Sequence, residues 1–195
     1  MKERTRALCD FLDFSHSLYH ARAYLNTLLD RQGYQPLQEK EHWTLTPGGK
    51  YYVNRGGSAV LAFRIPEDTP TGFTVSAAHT DRPTFKLKEN GELDGTYARL
   101  AVERYGGQIL SPWLDRPLSV AGRVLVKTEQ GAQVKLIDID RDLLLIPNVA
   151  IHMNRQVNDS YKWNPVTDVM PLLGAPENKG AFAALLEKEA GGKIL

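Results

Sequence analysis

The sequence predicts an α/β (α+β) protein, and three observations carry that prediction. Two apolar stripes at helical spacing open the chain, an apolar run at Phe73–Ala78 ends on a histidine, and short alternating segments follow from Leu93. Leu8, Phe11, Leu12 and Ser15 keep the i, i+3, i+4 spacing that gives a helix one apolar side. A second helix is expected from about Ser17 to Arg31. Ser15 or Ser17 caps it, Leu18, Ala21, Leu25, Leu28 and Leu29 form its stripe, and Gly33 stops it. His16 and His20, at its first turn, read as surface or packing histidines rather than ligands.

Lys50–Asn54 and the apolar run Ala59–Ile65 read as strands joined by Arg55-Gly56-Gly57-Ser58. Pro66–Gly72, with two prolines and a glycine, is a loop. Phe73–Ala78 is uncharged and suits a strand buried on both faces, as in the middle of an α/β sheet. Ligands of open α/β sheets sit beyond the carboxyl ends of strands, which is where His79 and Asp81 fall. A neutral imidazole there can bind a metal, and the carboxylate two residues on can accept its other N–H and fix the tautomer. Spacing alone leaves the plainer alternative open, a strand-end histidine and a turn-starting aspartate before Pro83.

The texture then changes. Phe85 and Leu87 alternate with Lys86 and Lys88 as a half-buried strand, and Asn90-Gly91 offers a hairpin turn. Arg123–Lys127 and Gln133–Ile139 are strands around Thr128-Glu129-Gln130-Gly131. Leu143–Pro147 and Val149–Met153 continue the pattern, the latter placing Ala150 and His152 on one strand face. Leu93–Met153 therefore reads as a small β domain without a helix. Asn178–Ala190 returns to helical spacing with Phe182, Leu185 and Leu186, and Gly191-Gly192 stops it. Lys193-Ile194-Leu195 begins an apolar segment, so the chain reads as cut where a further strand starts.

With 42% hydrophobic residues over 195 positions, the chain can bury one good core or two small ones. Its 24 basic and 23 acidic residues, a formal +1, include no basic block, which argues against nucleic acid or an acidic membrane surface as partner. The single cysteine, Cys9, excludes an internal disulfide and fits a reducing compartment. No apolar run approaches the roughly 18 residues of a membrane span, and the first ten residues are unlike a signal peptide. The expected location is cytoplasmic.

Three stretches, in this order and at these separations, resemble the aspartyl aminopeptidase family. They are Ala78-His79-Thr80-Asp81-Arg82-Pro83 with Phe85-Lys86-Leu87-Lys88; Val102–Gly107 running to Trp113-Leu114-Asp115-Arg116-Pro117 and on to Val124; and Ile146–Arg155 ending in Pro171-Leu172-Leu173-Gly174. The amino-terminal helices match as well. The resemblance implies a dizinc exopeptidase that takes single amino-terminal residues from peptides, acidic ones as the candidate preference. It further implies a homo-oligomer, a dimer building toward a tetrahedral dodecamer. Residues 1–92 would be the first half of a zinc-exopeptidase-like α/β catalytic domain. Residues 93–195 would be the β-rich dimerisation domain that interrupts it, cut short at its carboxyl end.

Through the resemblance His79 is expected to be a zinc ligand and Asp81 the carboxylate that orients it. His152 is expected to reach a neighbouring subunit's active site and contact the substrate carbonyl, with a histidine in a β interface as the alternative. The other ligands of a two-zinc site and the catalytic glutamate are expected beyond Leu195, and Glu177, Glu187 and Glu189 read as a solvated face rather than substitutes. One histidine cannot hold a catalytic zinc, which needs three protein ligands, so this chain alone is expected to be inactive. Asp115 and Arg116 read as a turn ion pair, with a catalytic pair as the alternative. Arg82 stands where the family usually has a small serine; its guanidinium either attracts acidic substrate groups or points to solvent. The competing function is a non-catalytic assembly module that keeps the dimer surface and needs no metal.

Overall fold

The two amino-terminal stripes form helices α1 (Lys2–Phe14) and α2 (Leu18–Arg31) in the computed structural model, which describes residues 2–93 and 95–195. Ser17 caps α2 from extended backbone, its hydroxyl accepting the His20 N–H at 3.4 Å. Gly33, at φ +76°, closes the other end: its N–H reaches Asp30 O and the Tyr34 N–H reaches Leu29 O, the Schellman pairing. Aromatic rings join the helices, Phe11 and Phe14 standing 5.6 and 5.4 Å from Tyr24. Leu8 and Leu12, by contrast, are exposed.

The rest of the unit Met1–Arg82 is a three-stranded sheet of β1 (Gln35–Leu37), β2 (Lys50–Arg55) and β3 (Ala59–Arg64), in that order. β2 and β3 form the expected antiparallel hairpin, while β1, which pairs parallel to β2, was not foreseen. The central strand carries the burial, through Tyr51, Tyr52 and Val53. The Tyr52 hydroxyl donates to Asp30 Oδ1 at 2.8 Å; burial first, then that carboxylate, push its pKa up.

The expected buried strand at Phe73–Ala78 is not formed. The segment has no regular secondary structure and is exposed, Phe73 at 96%. An interior strand needs hydrogen-bonded neighbours on both sides, and among the described residues neither sheet pairs with it.

The unit Pro83–Leu195 is built on a five-stranded sheet. Its strands are β4 (Thr84–Leu93), β5 (Ala98–Tyr105), β6 (Pro117–Thr128), β7 (Gly131–Leu145) and β8 (Leu172–Gly174), in the order β4-β5-β8-β7-β6. β6 and β7 are longer than the sequence patterns suggest and meet across Glu129-Gln130, with Thr128 opposite Gly131. Helix α3 (Ala181–Ala190) covers one face, where Val126, Ile137, Ile139 and Ala190 pack together. A neighbouring cluster joins Leu100, Leu144 and Phe182. A third gathers Leu110, Leu114, Ile146 and Val169 beside the 3-10 turn Ser111–Trp113, which the helix-free reading did not include.

Two further expectations are corrected here. Asn90-Gly91 is not a hairpin turn but lies inside β4, where the register jumps from Leu87↔Val102 to Glu92↔Leu100. It is a bulge, with Asn90 at φ +50° and no room beside Gly91, whose added Cβ would lie 2.8 Å from Lys88 O. Val149–Met153 is not a strand. Pro147 follows the end of β7, and the backbone bonds are local turns, Met153 N–H to Ala150 O and Asn154 N–H to Ile151 O. His152 is therefore an exposed turn residue and shares no strand face with Ala150. Among the described residues no helix is long and apolar enough to cross a membrane.

Candidate metal-ligand site

His79 and Asp81 meet as their spacing predicts, Nδ1 and Oδ1 lying 2.8 Å apart. An ionised carboxylate only accepts, so the neutral ring carries its proton on Nδ1 and presents the Nε2 lone pair. The imidazole is 91% exposed and the Asp81 side chain 33%. Exposure makes the pair a weak source of stability, and what it settles is the tautomer.

The segment holding the pair is tied to the rest of its unit by side chains on either side of Asp81. The Thr80 hydroxyl donates to Ser58 O at 3.0 Å, in the β2–β3 turn. Arg82 Nη1 donates to Ser15 O at 2.6 Å and Nη2 to His16 O at 2.8 Å. The guanidinium is thus engaged by main-chain carbonyls, which neither of the two sequence readings of Arg82 anticipated. These contacts join residues far apart in the chain, and no local pattern signals them. His20, near the same junction, is buried and bonds the Ser17 hydroxyl at 2.8 Å, the packing role expected of it.

His152 belongs to the other unit. The loop that carries it follows β7, and its start is held by Asp115, whose N–H donates to Ile146 O at 2.9 Å and whose Oδ1 accepts the Asn148 N–H at 2.8 Å. Asp115 holds φ +54°, which a non-glycine residue seldom adopts. Its carboxylate serves backbone, and Arg116 donates to Pro112 O, so the expected turn ion pair is replaced by main-chain contacts.

A separate hydrogen-bonded cluster is centred on Asp168, which accepts from the Tyr161 hydroxyl at 2.6 Å, the Asn164 N–H at 2.8 Å and the Thr167 hydroxyl at 2.8 Å. Partial burial opposes its charge, but these three donors together outweigh it and hold the carboxyl below its ordinary range. The same hydrogen bond is the main reason the Tyr161 pKa rises.

A zinc ion requires at least three protein ligands. Among the described residues no group of three His, Cys, Asp or Glu side chains gathers to hold a metal. The donor chemistry of His79 fits one ligand position, and the residues present do not complete a site.

Comparison with known proteins gives a consistent result. The model of the family described as Aminopeptidase I zinc metalloprotease (M18) matches residues 11–192. The probable M18 family aminopeptidase 2 of Clostridium acetobutylicum is 41% identical over 183 residues, covering 91% of this chain and 42% of that protein. Among solved structures, the cryo-EM structure of the Ape4 and Nbr1 complex superposes with a TM-score of 0.86 at 36% identity, over 93% of this chain and 39% of that one. The S. cerevisiae mApe1 dodecamer gives 0.78 at 25% identity, over 97% and 45%. The chain spans less than half the length of these relatives.

Proposed function

From the premise that this chain belongs to the aminopeptidase I zinc metalloprotease (M18) family, we propose that it works as part of a zinc-dependent aminopeptidase. Its substrates would be peptides with a free amino terminus, acidic residues being the candidate preference. The observation that carries the reading is the His79–Asp81 pair, set at 2.8 Å in a chain whose family model covers both residues. His79 Nε2 is the proposed ligand atom. Asp81 holds the proton on Nδ1 and makes Nε2 a better donor.

Zinc, two per subunit in this reading, would activate water and polarise the scissile carbonyl when bound. This chain supplies one of its ligand positions, at His79. His152 is proposed to hydrogen-bond the substrate carbonyl in a neighbouring subunit, which its exposed turn allows. The dodecamer of the S. cerevisiae neighbour supports homo-oligomerisation, and the β-rich region is the proposed surface for it. Residues 1–92 and 93–195 are the proposed catalytic and dimerisation parts; the compact units divide between Arg82 and Pro83, with β4 in the second. A cytoplasmic location belongs to the same proposal, in keeping with the lone, unpaired Cys9.

The test is a chimera in which this chain replaces the matching segment of the Clostridium acetobutylicum relative. It should release amino-terminal residues, lose that activity to a chelator and to His79→Ala, and bind about two zincs per subunit. The chain by itself should show no rate above background. A chimera that is folded and zinc-loaded yet indifferent to His79→Ala sinks the ligand assignment.

A further inference from the structure

Arg82 donates from two nitrogens of one guanidinium to two successive carbonyls, Ser15 O at 2.6 Å and His16 O at 2.8 Å. Those carbonyls lie in the junction between α1 and α2. The junction is itself fixed. Ser15 is buried, its N–H bonds Phe11 O at 3.0 Å, and Ser17 caps α2 two residues later. A planar fork with two parallel donors suits this pair of acceptors, whereas a lysine would bind as a single point charge.

On the other side of Asp81, Thr80 is tied to Ser58 O at 3.0 Å. The chain that leads in, Gly72–Ala78, is exposed and without regular structure, and cannot hold the pair in place. Side-chain anchors therefore stand on both sides of the His79–Asp81 contact.

We infer that Arg82 is a positioning residue for the His79–Asp81 pair, its fork fastening the far side of Asp81 to the α1–α2 junction. The carboxylate then stays on Nδ1, and Nε2 is the nitrogen His79 offers. The purpose of this arrangement rests on the reading of His79 as a metal ligand, but the geometry does not. The inference also commits the guanidinium to backbone, so acidic substrates are not selected through Arg82.

The test uses this chain, labelled with nitrogen-15, at a pH where imidazole is neutral. Long-range proton–nitrogen spectra report which ring nitrogen of His79 carries the proton. The wild-type chain should show the Nδ1–H form. Arg82→Ala should shift His79 toward the Nε2–H form that free histidine prefers. The amide order parameters of residues 79–82 should fall below about 0.6. Arg82→Lys should restore the wild-type signature only in part.

A folded Arg82→Ala chain with an unchanged tautomer and unchanged order parameters overturns the inference. Should that variant fail to fold, Arg82→Gln supplies the same comparison and the same overturning result. The chimera keeps the two readings apart. If Arg82→Ala changes the tautomer in this chain but His79→Ala leaves the zinc content and activity of the chimera unchanged, the ligand reading falls and the positioning inference stands.

Discussion

The Glu92 carboxylate on β4 accepts the backbone N–H of Gly180, 88 residues later, at 2.5 Å, and the N–H of Ala183 at 2.8 Å. Gly180 begins α3 at φ +78° and has no side chain with which to cap it. A strand residue thus performs the task usually done by a local serine or aspartate. Glu92→Ala should lower the unfolding free energy by about 1–2 kcal/mol, and Glu92→Gln by less, in urea denaturation followed by circular dichroism.

Ile146 and Val169 are both 0% exposed and share a cluster with Leu110 and Leu114. Ile146→Ala should cost about 2–5 kcal/mol through the lost transfer energy and the cavity left behind. Leu125→Ala, at a site 49% exposed on β6, should stay within about 0.5 kcal/mol. Equal effects at the two sites in thermal melts would contradict this assignment of the core.

Asp168 makes acid stability testable. Its carboxyl is held below the unfolded value of about 3.9, so it binds a proton less readily when folded than when unfolded. Its contribution is complete above that value and fades as pH falls through the lower folded one. Between about pH 4 and 2 the melting temperature of Asp168→Asn should change less with pH than that of the wild type.

Asp115 combines a positive φ with an acceptor for the loop that leads to His152. Asparagine tolerates that backbone and keeps an oxygen in place, while alanine does neither. Asp115→Ala should therefore cost about 1–3 kcal/mol and Asp115→Asn under about 1 kcal/mol in equilibrium unfolding.

Legibility in the sequence followed the range of the interaction. The helices, the β2–β3 hairpin and the cap at Ser17 depend on neighbours a few residues apart, and spacing shows them. The His79–Asp81 contact is of the same kind. β1 was missed because Gln35–Leu37 is short and owes its strand to Tyr51–Val53, well beyond the hairpin scale. At Phe73–Ala78 the composition is that of a buried strand and no strand forms, because strand formation depends on partners that composition does not show. Asn90-Gly91 has the residues of a turn, and only the pairing of β4 with β5 turns them into a bulge. Arg82, Glu92 and Asp115 act on backbone far away in sequence, where no spacing rule reaches.

The exposed Phe73–Ala78 run has a material consequence for the protein in solution. Six uncharged residues without proline, including phenylalanine, threonine and valine, have the composition of segments that stack in register between molecules. Pro70 on one side and Asp81-Arg82 on the other are residue types that should confine any such stacking to the run between them. Aggregation of this chain should therefore rise steeply with concentration and start from this hexapeptide. A single charge placed at Val75 should suppress it without disturbing either sheet.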